Sequence, residues 1–167
     1  MKILVLSVLI LFTTASILTS ISKSEALVDD NSRVEHLNNI PDMPSAIGAY
    51  SVGVKVNHGD YSTLYAAGQI GLNPETGNLI SDNVEDQVRQ AMRNVRALLA
   101  SQGATFKNVV RSTLYLVDMN DFTTVDKAYK EFFDINFPFP ARTAVAVHQL
   151  PKGAKFEIQV DAIVYGH

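Results

Sequence analysis

The sequence predicts an α+β domain in which two helices cover one face of a β-sheet. Three observations carry that expectation. Strand-like alternation appears early, at Val52, Val54 and Val56, and again at the end, at Phe156, Ile158, Val160, Ala162 and Val164. Between them the period changes twice to that of a helix: at Val84, Val88, Met92, Val95, Leu98 and Leu99, then at Phe122, Val125, Tyr129, Phe132 and Phe133. Two helices suffice for only one face of such a sheet, so the other face must meet water or another subunit.

Each element follows from local chemistry. Ser51 to Val56 is a strand, Asn57-His58-Gly59-Asp60 a turn, and Thr63 to Ile70 the returning strand of a hairpin. Leu72 to Asn78 is rich in turn residues, and Leu79-Ile80 is expected as a short strand. Asn83 is placed to cap the first helix and Gly103 to end it. Val109 to Val117 is β-branched and apolar on both faces, which predicts a strand buried on both sides. Asn120 or Asp121 caps the second helix, and Pro138 and Pro140 close it. Thr143 to Leu150 and Phe156 to Tyr165 are the final strands, separated by Pro151-Lys152-Gly153. Ala144 and Ala146 are small enough for another subunit to approach closely.

The chain has 167 residues, formal net charge −3 and no cysteine. One domain with a full core fits that length. Disulfides, thiolate metal sites and cysteine nucleophiles are excluded. No segment concentrates Lys and Arg with aromatics, which argues against a nucleic-acid partner. Met1-Lys2, an apolar run from Ile3 to Phe12 and the small-x-small ending Ser24-Glu25-Ala26 describe a secretory signal peptide, with cleavage expected after Ala26. A signal anchor is the competing reading, weakened by Thr13, Thr14, Ser16, Thr19 and Ser20 in the second half of the uncharged run. The expected organisation is a cleaved segment 1–26, a polar flexible arm 27–39 and a domain 40–167. The mature chain would follow the secretory route without a membrane anchor. A cytosolic or mitochondrial place follows if the segment is not a working signal.

The chemistry-bearing stretch is Phe139-Pro-Ala-Arg142 followed by Phe156-Glu157. Pro140 keeps Ala141 extended, so Arg142 enters a strand. Glu157 must point away from the apolar stripe of its own strand. An arginine and a glutamate on neighbouring strands can face one cleft: the guanidinium grips a carboxylate ligand and the glutamate holds or deprotonates a water. The same spacing also suits a plain Arg142–Glu157 ion pair. Phosphate loops, Gly-x-Ser-x-Gly and His-Glu-x-x-His are absent from the sequence, and His36, His58, His148 and His167 lack ligand spacing. Asp118-Met-Asn-Asp121 reads as helix capping rather than a metal cluster.

Several segments in order resemble the reactive-intermediate imine/enamine deaminases, the RidA/YjgF/UK114 family. They are Ile47-Gly-Ala-Tyr-Ser51, Ala67-Gly-Gln-Ile70, Asn73-Pro-Glu-Thr-Gly77, Val109-Val-Arg-Ser-Thr113, Asp118-Met-Asn-Asp-Phe122, Phe139-Pro-Ala-Arg142 and Leu150-Pro-Lys-Gly153 with Phe156-Glu-Ile158. The likeness runs from about Ile40 to Tyr165. It implies a chorismate-mutase-like α+β fold of order βββαβαββ, with two helices on one face of a mixed sheet. It implies a homotrimer with clefts between subunits, and hydrolysis of 2-aminoacrylate and 2-iminobutanoate to 2-oxo acids and ammonia, with no metal or organic cofactor. The implied catalytic residues are Arg142 for the substrate carboxylate, Glu157 for the water and Tyr50 lining the cleft. Gly68, Ala144 and Asp126 are implied to lie beside the substrate. The chain departs from the pattern at Ala49, where Pro is usual, at Ala67 for Ser, at Ala144 for Cys and at Asp126 for Asn. A non-catalytic, small-carboxylate-binding or chaperone-like member is the alternative.

Overall fold

The computed structural model describes residues 33–166. Seven strands make one sheet: β1 (Val34–Leu37), β2 (Gly53–Asn57), β3 (Tyr61–Ala66), β4 (Gln69–Ile70), β5 (Val109–Leu116), β6 (Ala141–Ala146) and β7 (Phe156–Tyr165). Among the described residues two α-helices accompany it, α1 (Val84–Ser101) and α2 (Phe122–Lys130). The strand order is β1-β2-β3-β7-β5-β6, with β4 also on β7. Only β5 and β6 run parallel, as a crossover through α2 requires; the other pairings are antiparallel. The expected architecture, two helices over one face of a mixed sheet, is the one observed.

α1 begins where the sequence places it. The Asn83 side-chain oxygen accepts the N–H groups of Glu85 at 2.8 Å and Asp86 at 3.2 Å. Gly103, at φ +69°, supplies the left-handed residue that ends the helix. Val88, Met92, Val95, Leu98 and Leu99 are fully buried against Leu64, Leu114, Ile158 and Ala162 of the sheet. Each such side chain contributes roughly 1.5–3 kcal/mol by leaving water. α2 is held down by Tyr129, whose hydroxyl meets that of Ser112 on β5 at 2.8 Å in the interior.

Several expectations need correction. Val34 to Leu37 lies within the proposed arm yet pairs with β2 in the register Val34↔Val56. Only Leu37 of this strand is buried, so no alternation reveals it; backbone hydrogen bonds make the strand. The signal segment, and residues 27–32 of the arm, lie outside the described residues. The strand expected over Thr63 to Ile70 breaks at Ala67-Gly68. Tyr65 faces Asp161 and Gln69 faces Ile158, so four steps on one side match three on β7, the count of a bulge. Leu79 forms a lone bridge to Leu72 rather than a strand. β6 starts earlier and ends earlier than expected, so Arg142 lies inside it. β5 buries one face only, with Val110 48% exposed: its β-branched residues serve strand conformation as well as burial.

Candidate active site

The sheet register decides where the key side chains point. Arg142 is paired across to Ser112, which is buried against Tyr129 of α2. Arg142 therefore belongs to the helix-covered face. Glu157 is paired to Tyr115, three residues further along β5. An odd separation on a strand reverses the face, so Glu157 belongs to the open side. β5 also stands between β6 and β7, so the two strands are not neighbours. Within one chain, Arg142 and Glu157 neither share a cleft nor pair with each other, which corrects both readings of that spacing.

Glu157 borders a hollow of about 260 Å³. Tyr50, Gly68 and Glu157 line it together, with apolar walls from Ile47, Ile70 and Pro151. The bulge after β3 brings Gly68 against the carboxylate: a Cβ on Gly68 would stand 1.8 Å from Glu157 Oε1. Any larger residue there would push the carboxyl end of Glu157 aside. Burial, with no cationic partner among the described residues, pushes the Glu157 carboxyl up from its ordinary range. Tyr50 is half exposed, and its hydroxyl accepts the Ile47 N–H at 3.3 Å, which folds the loop before β2 over the hollow.

Arg142 borders a second hollow, with Phe122, Asp126, Tyr129, Lys130 and Phe139. Its Nη1 donates to Asp126 Oδ1 at 2.7 Å, and Lys130 Nζ meets the other Asp126 oxygen at 2.5 Å. The guanidinium carbon lies 5.1 Å from the Tyr129 ring centre and 5.5 Å from that of Phe122, within cation–π range. Burial works to raise the Asp126 carboxyl, but the bonds from Lys130 and Arg142 outweigh it and hold it below its ordinary range. Asp126 thus fixes one edge of the guanidinium. Ala144 lines neither hollow: it pairs with Leu114 and packs on the core. Lys130 was not anticipated, although its four-residue spacing from Asp126 on one helix was a readable signal.

Two sites on one chain, one acidic and one basic, are thus brought by the fold to opposite faces of a sheet. A family model described as endoribonuclease L-PSP matches residues 40–164. The chain belongs to this family, that of the reactive-intermediate deaminases. A human protein named 2-iminobutanoate/2-iminopropanoate deaminase is 45% identical over 120 residues, 72% of this chain and 83% of that one. Among solved structures of the family, the Rid protein YyfA from Yersinia pestis aligns with TM-score 0.71 at 38% identity, over 77% of this chain and 98% of that one. E. coli TdcF with bound serine aligns at TM-score 0.69 and 34% identity, over 79% and 100% of the two chains.

Proposed function

We propose that this chain hydrolyses reactive 2-imino acids and their 2-enamine tautomers, such as 2-iminobutanoate and 2-aminoacrylate, to 2-oxo acids and ammonia. The observation that carries the reading is the Glu157 carboxylate: half-buried, raised in pKa, without a cation beside it among the described residues and pressed over Gly68 in an apolar hollow. A base of raised pKa takes a proton from water near neutral pH better than an ordinary carboxylate does. The names of the relatives at 40–45% identity agree with that chemistry.

The steps balance without a covalent enzyme intermediate. A 2-enamine first takes a proton on carbon and becomes the imine. Water then adds to the protonated imine carbon as Glu157 accepts a proton from it, giving a carbinolamine. That proton goes to the amine nitrogen. The C–N bond breaks as Glu157, again ionised, takes the hydroxyl proton and the oxygen becomes a carbonyl; the 2-oxo acid and ammonia are released, and the proton leaves Glu157 with the ammonia as ammonium. Arg142 holds the substrate carboxylate through the guanidinium edge that Asp126 does not use.

Because Arg142 and Glu157 of one chain occupy different faces, this reading needs the arginine of one subunit beside the glutamate of the next. A heterologous contact of that kind closes into a ring, and a homotrimer is the proposed one. Tyr61, Tyr65, Val145 and Tyr165 are exposed and lie on the sheet face that α1 and α2 leave open, which suits a subunit contact. The proposed compartment is that of the secretory route, after cleavage behind Ala26. Terminal sequencing of the mature protein that still finds Met1 would remove that part.

The decisive experiment is ammonia release from freshly generated 2-iminobutanoate, with semicarbazide trapping of the remaining imine, by the chain lacking residues 1–26. An imine lifetime equal to that in buffer would leave the second reading, a non-catalytic binder of small carboxylates. Asp126 favours that reading to a degree, because it already occupies part of Arg142. RNA cleavage, which the family description names, gains no support from a net charge of −3.

A further inference from the structure

α1 buries three amides, Gln87, Gln90 and Asn94, among residues that are otherwise Ala, Val, Met and Leu. Gln87 and Asn94 are fully enclosed. Spacings of three and four put the three on one stripe of the helix. That stripe meets β4 and the entrance of β7. Gln87 Oε1 accepts the Lys155 N–H at 2.8 Å, and its Nε2 donates to the Ser81 carbonyl at 2.8 Å. Asn94 Nδ2 donates to the carbonyls of Ile70 at 3.2 Å and Leu72 at 3.1 Å. Its Oδ1 accepts from Gln90 Nε2 at 2.9 Å. Gly71 lies between those two carbonyls. A Cβ on it would stand 2.6 Å from Gln87 Cα, so the helix backbone rests directly on the chain leaving β4.

The backbone groups held in this way bracket Glu157. Lys155 precedes it by two residues, and Ile70 is its partner across the strands. β4 has only two residues, too few to keep its place by ladder bonds alone. Its position against β7, and with it the approach of Gly68 to the carboxylate, depends on what grips it from behind. An apolar residue at either position would fill the space but leave backbone groups without partners. We infer that Gln87 and Asn94 are positioning residues for the acidic half of the site: from the helix they fix β4 and the entrance of β7, and so hold Glu157 over Gly68. The inference rests on the reading of Glu157 as the group that activates water.

The test uses the full assembled chain with Gln87→Met and Asn94→Leu, which keep side-chain volume, and the milder Asn94→Thr, which keeps a hydroxyl donor for one of the two carbonyls without adding a charge. Two quantities are read: kcat and KM for imine hydrolysis, and the titration midpoint of Glu157 by carbon-13 carboxyl NMR. The expected result is a kcat lower by roughly ten-fold or more. KM should change by less than about two-fold, because Arg142 is untouched. The Glu157 midpoint should fall toward the ordinary carboxylate range, since a loosened β4 admits water to it. Variants that melt earlier yet keep the parental kcat and midpoint while folded would overturn the inference. Should both of those variants fail to fold, Asn94→Thr decides by the same two readings. If the parent does not hydrolyse imines at all, the deaminase reading falls, and the Glu157 midpoint alone then decides the positioning role.

Discussion

The two hollows of this molecule are built in opposite ways. The one around Glu157 has apolar walls, and among the described residues no cation neighbours its carboxylate, while a glycine presses on it from one side. The one around Arg142 lies on the last strand of the sheet, and its charge is already met by Asp126 and shared with Lys130. Burial raises proton affinity in the first, and ion pairing lowers it in the second. The difference teaches that one sheet can hold a carboxyl of raised proton affinity on one face and a charge-paired guanidinium on the other, which is what the proposed division into proton transfer and anion binding requires.

The largest effect should come from the acidic half. Glu157→Gln is expected to lower kcat by roughly a hundred-fold or more, since a positioned base typically supplies 10²–10⁴. Stability should move the other way. A carboxyl whose folded pKa is raised binds more protons folded than unfolded, so its ionisation destabilises the fold as pH rises through the window above the ordinary carboxylate value. Glu157→Gln should therefore melt higher than the parent at pH 7, with the gap closing near pH 4; an equal gap at both would refute the burial argument.

Arg142→Ala comes next. Loss of a charged, orienting contact should cost roughly a hundred-fold in kcat/KM, about 3 kcal/mol, felt mainly in substrate binding. A neutral amide analogue of the imino acid should show a much smaller difference between parent and variant. Gly68→Ala should act on the acidic half without touching its charge. The added methyl displaces the carboxyl end of Glu157, so kcat should fall while the melting temperature changes little, read by the ammonia assay and thermal melting.

Asp126→Asn is the smallest. It keeps an acceptor for Arg142 and removes the competing charge, so KM for an anionic substrate should fall a few-fold while kcat stays level. Because the Asp126 carboxyl is held low, its ion pairs stabilise the fold above the ordinary carboxylate pKa and are lost as pH falls toward the depressed value. The parent should accordingly lose stability through acid faster than Asp126→Asn in a melting series.

Much of this fold was legible because local chemistry and packing agree. Asn83 caps α1, Gly103 ends it, and Val88, Met92, Val95, Leu98 and Leu99 between them are buried as their spacing predicts. β1 was not legible, since three of its four residues are exposed and only backbone pairing holds it. Arg142, Glu157, Tyr50 and Gly68 could be named from the motifs around them, but not their grouping. That grouping depends on β5 lying between β6 and β7 and on the bulge at Ala67-Gly68, which are properties of the register rather than of any segment. Gln87 and Asn94 escaped notice because a polar residue at a helical position reads as solvent-facing until its partners 22 to 68 residues away are known.

The opposed orientation of Arg142 and Glu157 has a genetic consequence. If every working cleft borrows from two chains, two separately dead parents can repair one another. In a three-membered ring, any mixture of Arg142→Ala and Glu157→Gln chains creates one junction where both lost groups are intact. Random reassembly of equal amounts should then restore about one cleft in four. Co-folding the pair and recovering no turnover would mean that each chain had to supply both groups by itself.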